Sequence, residues 1–169
     1  MNIALLGFGV VCGGVYEILK KLPEYNVTKV LIRNPAKKTM DCMTLDFADI
    51  ENDDSVDLVV EAIGGLHPAR EYILASLNAK KHVVTANKAV VAAYFEEFVE
   101  AANKNGVKFM VEATSGGGIP WIKNLQRVGR IDDVTELHGI MNGTSNFILS
   151  AMTNEGKDFS DVLKTAQEL

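Results

Sequence analysis

Residues 4–15 read ALLGFGVVCGGV, an apolar run that ends at Leu6 and gives way to Gly7, Gly9, Gly13 and Gly14. The reading of this stretch decides the fold. A buried strand that turns sharply into a helix is the usual device for holding a pyrophosphate. Gly7 suits the tight turn, and Gly9 lets backbone approach the ligand. The helix that opens near Cys12 offers free N–H groups and the positive end of its dipole. The third position of the dinucleotide fingerprint needs a small residue, so that helix and strand pack closely. Here it is Cys12, with Gly13 and Gly14 behind it expected to relieve crowding. A bare GxGxx(small) match is a weak signal, but its place between a first strand and a first helix strengthens it. The expected cofactor contacts here are Gly7, Phe8, Gly9, Val10, Val11 and Cys12. A glycine-rich turn without a ligand is the bland alternative. Cys12 reads as a packing residue in preference to a thiol acidified by the helix N-terminus.

Outward from this loop, strand-like and helix-like segments alternate. Strands are expected at 2–6, 27–32, 57–62, 81–85 and 107–111, where short apolar or β-branched runs are bounded by polar residues. Helices are expected at 12–22, stopped by Pro23, at 67–78 and at 93–105. The last has Phe95, Phe98, Val99 and Ala102 on one face and Gly106 as its C-terminal cap. A β-α-β-α order predicts a Rossmann-type α/β fold, a doubly wound parallel sheet, over residues 1–130. The pattern changes after Gly129. Residues 131–141 alternate partly, with Val134, Leu137 and Ile140 apolar, and read as a longer strand. Helices at 145–153 and 160–169 follow. Residues 131–169 are therefore expected to be the truncated start of a further α+β domain, because the last helix stops in mid-pattern.

Bulk properties narrow the function. The 169 residues are 47% hydrophobic, enough for a sizeable core, and carry a net charge of −5. The mean hydropathy is +0.08, and no apolar run approaches the roughly eighteen residues of a membrane span. Scattered charges of net negative sign argue against nucleic-acid or anionic-membrane partners. Two cysteines, Cys12 and Cys42, form neither a disulfide framework nor a metal cluster and suit a reducing cytoplasm.

The end of the second strand bears on which dinucleotide binds. NAD sites usually place an acid there, about twenty residues after the loop, on the ribose 2′-hydroxyl. This chain has LIRNPAKK instead, with Arg33 and Asn34 where the acid would stand and Lys37 and Lys38 behind. Cations suit a 2′-phosphate, so NADP(H) is favoured over NAD(H); a solvated basic turn is the alternative.

Four further stretches sit at or just beyond the C-terminal ends of expected strands: EAIGG (61–65), VVTANKAVVA (83–92), EATSGGGIP (112–120) and GIMNGTSNFIL (139–149). Ligands bind at that edge of a doubly wound sheet. In this order, behind the glycine loop, the four stretches resemble homoserine dehydrogenases over residues 2–169. The resemblance implies NAD(P)H-dependent interconversion of L-aspartate 4-semialdehyde and L-homoserine, on the route to threonine, methionine and isoleucine. It implies that Lys88 of TANK lies near nicotinamide and substrate, where an ammonium can polarise a carbonyl oxygen or assist proton transfer. A surface lysine at a helix start is the alternative, although the helix dipole disfavours a cation there. The resemblance also places Thr85, Ala86 and Asn87 along the cofactor and Ile63 and Gly64 beneath its ribose. Gly143 falls on the cofactor side, and Asn142 and Thr144 on the substrate side, of a loop that doubles as a helix cap supplied by Thr144 or Ser145. Glu112, with backbone carbonyls of Ser115, Gly117 and Ile119, matches the family's sodium site. Ser115 stands where valine is frequent, an exchange a carbonyl ligand tolerates. His67, His82 and His138 match no catalytic position and read as structural or surface residues.

The family's further substrate-binding acids and its second, proton-donating lysine follow a helix such as 160–169, in a stretch like GY-x-E-x-DP. The resemblance thus implies that residues 131–169 are the truncated start of the family's substrate and dimerisation domain, and the expectation is that the 169 residues bind NADP(H) but turn over homoserine poorly or not at all. A strand at 131–141 would be left with an open edge, which favours a homo-oligomer. Two competing readings are another Rossmann dehydrogenase and a nucleotide-binding module without catalysis. A semialdehyde dehydrogenase would need a nucleophilic cysteine, which neither Cys12 nor Cys42 is placed to be.

Overall fold

The computed structural model describes residues 1–168. They divide into two compact units, Met1–Ile122 and the residues from Lys123 onward, a division inside the first turn of a helix at Trp121–Val128.

The first unit is built on a six-stranded sheet: β1 (Asn2–Leu6), β2 (Asn26–Leu31), β3 (Met43–Thr44), β4 (Leu58–Glu61), β5 (His82–Thr85) and β6 (Phe109–Met110). All pairings are parallel and the spatial order is β3-β2-β1-β4-β5-β6, the Rossmann order that the alternation of segments predicts. Ile3 to Leu6 are apolar because both faces of β1 are covered there. Ala4 and Leu6 join Val59, Val83, Ile73 and Phe98 on one face. Ile3 and Leu5 join Val30, Val60 and Cys12 on the other.

Helix α1 (Val10–Leu19) covers the second face and starts two residues earlier than the sequence suggests. Helices α3 (Ala69–Asn78) and α4 (Lys88–Asn105) cover the first, pinned together by Arg70, which donates twice to the Glu97 carboxylate at 2.8 and 2.5 Å. α4 reaches back to Lys88, ahead of the expected start at 93. Asn87 caps it by accepting the Val90 N–H at 3.3 Å, and a kink at Tyr94 separates its two parts. β3 and the short α2 (Ala48–Glu51) were not expected; both are too brief to show a period.

Registers put Leu31, Leu6, Glu61 and Thr85 in one row across the sheet. The segments after β2, β1, β4 and β5 therefore leave the sheet at one level. The strand order reverses between β1 and β4, and a crevice opens outside their C-terminal ends.

The second unit contains most of α5 (Trp121–Val128), then α6 (Gly143–Glu155) and α7 (Phe159–Glu168). Ile148, Ala151 and Val162 form its small core. The expectation of a helix over 160–169 is met as far as the described residues reach; Leu169 lies outside them. The expected strand at 131–141 is not there. Those residues form neither helix nor strand, and Ile131, Val134, Leu137 and Ile140 are exposed. Alternation alone does not make a strand: a ladder needs a partner, and none of the described strands pairs with this segment.

Candidate functional site

The crevice is a cleft of about 590 Å³. Its base is the glycine loop, with Gly7, Phe8 and Gly9 lining it. Gly7 has a φ of +98°, and a side chain there would meet Ile63 Cγ2 at 3.0 Å, so turn and close approach both demand glycine. A Cβ on Gly9 would meet nothing within 4 Å; its bareness leaves room for a ligand. The N-terminus of α1 carries no side-chain cap and no acid in its first turn. Its N–H groups and dipole are thus available to an anion. Val10 and Val11 are exposed beside it.

Cys12 is buried, with Sγ directed to the Leu6 carbonyl oxygen at 3.7 Å. Burial, and secondarily the charge of Glu61, push its thiol up to about 11. It is a packing residue, as the sequence suggests. The reason offered for its neighbours does not hold: Cβ atoms on Gly13 or Gly14 would also meet nothing within 4 Å, so these glycines relieve no crowding.

One wall of the cleft is the basic turn after β2. Arg33, Asn34 and Lys37 line it, all exposed. Asn34 accepts the Ala36 N–H at 3.0 Å, which fixes the turn in a short 3₁₀ segment, Pro35–Lys37. The floor is Ala62, Ile63 and Gly64, directly after β4. The opposite wall was missed by sequence reasoning: His67, Pro68 and Tyr72 line it, at the start of α3. His67, taken as a structural or surface residue, is thus at the cleft. Its Nδ1 lies 2.8 Å from Glu71 Oε1. The Glu71 carboxyl is held below its usual range first by its own backbone N–H and then by His67. The other two histidines fit the expectation: His82 Nδ1 accepts the Lys108 N–H at 3.0 Å, and exposed His138 pairs with Glu136.

Thr85 ends β5, one strand further along, and Ala86 to Lys88 follow it. Lys88 opens α4 with its side chain exposed, while Thr85 and Asn87 are buried. They meet Glu61, which is wholly buried at the end of β4. An acid in the otherwise apolar run LVVE is the signal that could have singled it out.

The loop proposed for a cation turns through Gly116 and Gly117, both left-handed, with φ of +74° and +59°. Glu112 Oε1 accepts the Ile122 N–H at 3.1 Å, and the Ile119 carbonyl accepts the Trp121 N–H at 2.8 Å. In the second unit, the cap of α6 is neither Thr144 nor Ser145 but Asn142, whose Oδ1 accepts the Ser145 N–H at 2.8 Å; Gly143 and Thr144 form the exposed first turn.

Residues 7–112 match the family description "Homoserine dehydrogenase, NAD binding domain", and residues 120–169 match "Homoserine dehydrogenase". The chain belongs to the homoserine dehydrogenase family. A homoserine dehydrogenase from Synechocystis is 44% identical over the whole of this chain, and one from Bacillus subtilis is 36% identical. The chain spans 42% of the length of each. Among solved structures, a homoserine dehydrogenase from Thiobacillus denitrificans matches with a TM-score of 0.91 at 40% identity, over 99% of this chain and 42% of that one. One from S. aureus matches with a TM-score of 0.80 at 34% identity, over 99% of this chain and 43% of that one. The resemblance read from the four strand-end stretches is therefore correct. The chain carries the family's NAD-binding domain, so its cofactor class is a nicotinamide dinucleotide. Among the described residues no helix is long and apolar enough to cross a membrane.

Proposed function

We propose that the cleft between β1 and β4 holds NADP(H) and that the chain is the cofactor-binding part of an enzyme interconverting L-aspartate 4-semialdehyde and L-homoserine, in the cytoplasm, on the route to threonine, methionine and isoleucine. The observation that carries this is the convergence of a bare glycine loop, an uncapped helix N-terminus and a basic wall on one cleft at the switch point of the sheet. The α1 N-terminus takes the pyrophosphate, with Gly7 to Cys12 around it. Ile63 and Gly64 support a ribose. Arg33, with Lys37, pairs with the 2′-phosphate; two exposed cations on one wall favour NADP(H) over NAD(H).

The bound nicotinamide would supply the hydride. Lys88 is the group proposed to polarise the substrate oxygen or assist proton transfer, with Thr85, Ala86 and Asn87 against the cofactor. Asn142 and Thr144 are assigned to the substrate and Gly143 to the cofactor. Glu112 with the carbonyls of Ser115, Gly117 and Ile119 is a donor set of one carboxylate and backbone oxygens, which suits a hard monovalent cation such as sodium. A homo-oligomer is the proposed assembly.

The test is a fluorescence titration with NADPH and, separately, NADH. Tighter binding of NADPH is expected. Equal affinity would remove the role given to Arg33 and Lys37, and binding of neither would overturn the cofactor reading.

A further inference from the structure

Glu61 is a buried acid that the proposed chemistry does not use. In its row of the sheet it stands between Leu6, with Leu31 beyond, and Thr85. Among the described residues no lysine or arginine forms a salt bridge with it. Burying a carboxylate without a cation is costly, and a well-packed apolar residue commonly serves stability as well or better. What the acid gains is three donors. Oε2 accepts the Thr85 hydroxyl at 2.5 Å; Oε1 accepts the Ile63 amide N–H at 2.9 Å and the Asn87 side-chain amide at 3.4 Å.

These bonds continue on both sides. Thr85 Oγ1 accepts the Asn87 backbone N–H at 2.9 Å. Asn87 Nδ2 donates to the Gly65 carbonyl at 2.7 Å, while its Oδ1 caps α4. One connected set of hydrogen bonds therefore runs from the floor of the cleft, through Glu61, to the first turn of the helix that opens with Lys88.

We propose that Glu61 is a positioning residue: its carboxylate fixes the EAIGG and TANK segments to each other before any dinucleotide arrives, so that the cleft floor and Lys88 are set as one piece. This deepens the cofactor reading above and rests on it for the link to binding. Pre-ordering of this kind lowers the cost of ordering the loops at the moment of binding.

Amide hydrogen exchange on the nucleotide-free chain is the direct test. The Ile63 and Asn87 amides, although outside any strand, are expected to be as protected as the β4 and β5 amides; fast exchange at both overturns the proposal. Glu61→Gln exchanges one of the two acceptor oxygens and the charge for an NH2 donor, and Glu61→Leu removes both acceptors and copies Leu6. Both are expected to accelerate exchange at Ile63 and Val90 and to weaken NADPH binding about tenfold, the loss of one to two charge-assisted bonds. Either variant, folded by its denaturation profile, with unchanged exchange at these amides and unchanged NADPH affinity refutes the assignment. If the unsubstituted chain binds neither NADPH nor NADH, the cofactor reading fails by itself, and the exchange data alone decide for or against Glu61.

Discussion

Arg33 stands exposed on the cleft wall, so its removal chiefly takes away a charge. Arg33→Ala is expected to weaken NADPH binding about tenfold, the worth of a charge-assisted pair, and to leave NADH binding nearly unchanged; parallel titrations check both. Cys12 gives a second prediction. Its thiol is held near 11 in the folded chain against an ordinary value of 9.0, so the folded state keeps a proton that the unfolded state gives up. Stability from this group is whole below pH 9 and declines as pH rises through 11, by about 2–3 kcal/mol at most. Denaturant unfolding at pH 8 and pH 11, compared with Cys12→Ala, measures it; in the folded chain at pH 8, Cys42 is expected to react with an alkylating agent well before Cys12. The sequence singled out Gly7, Gly9 and Arg33 by their places in the glycine-loop fingerprint and at the end of the second strand, and Lys88 through the resemblance of TANK. It passed over Glu61 and His67, since what matters for them is which other segment they meet, and no spacing along one chain encodes that.

Helix α6 shows what a single side chain does for an element. Asn142 satisfies an amide that the helix cannot satisfy itself. Asn142→Ala is expected to cost about 1 kcal/mol of the stability of the second unit, read as increased exchange of the Ser145 amide and loss of helical signal. Elements with a long or strongly apolar run were legible: β1, β4 and β5 stand within a residue of their expected bounds. β3, with two residues, and α2, with four, fall below any detectable period. α5 was overlooked although Ile122, Leu125 and Val128 recur every third residue behind Pro120, a fair helix start. The first turns of α4 were missed because AVVAA has no polar face to reveal a period; the cap at Asn87 was the available cue. Residues 131–141 failed for the opposite reason, an alternating pattern that finds no ladder.

At the scale of the molecule, both large hydrophobic clusters lie within residues 1–122, and the second unit has a small one of its own. Residues 1–122 produced alone are expected to unfold cooperatively and to bind NADPH. At 100 times the dissociation constant, the nucleotide should add about 2.7 kcal/mol to their stability. Thermal melts with and without NADPH test this, and a melt that NADPH leaves unshifted counts against it. The row of strand ends has one more consequence. The wall that carries Arg33 and the helix that carries Lys88 leave the sheet on opposite sides of the glycine loop, with β1 and β4 between them. Drift in one can proceed without disturbing the other. On the proposed roles of Arg33 and Lys88, a lineage could exchange its electron carrier through a few changes in an exposed turn while the bond-making end stayed fixed.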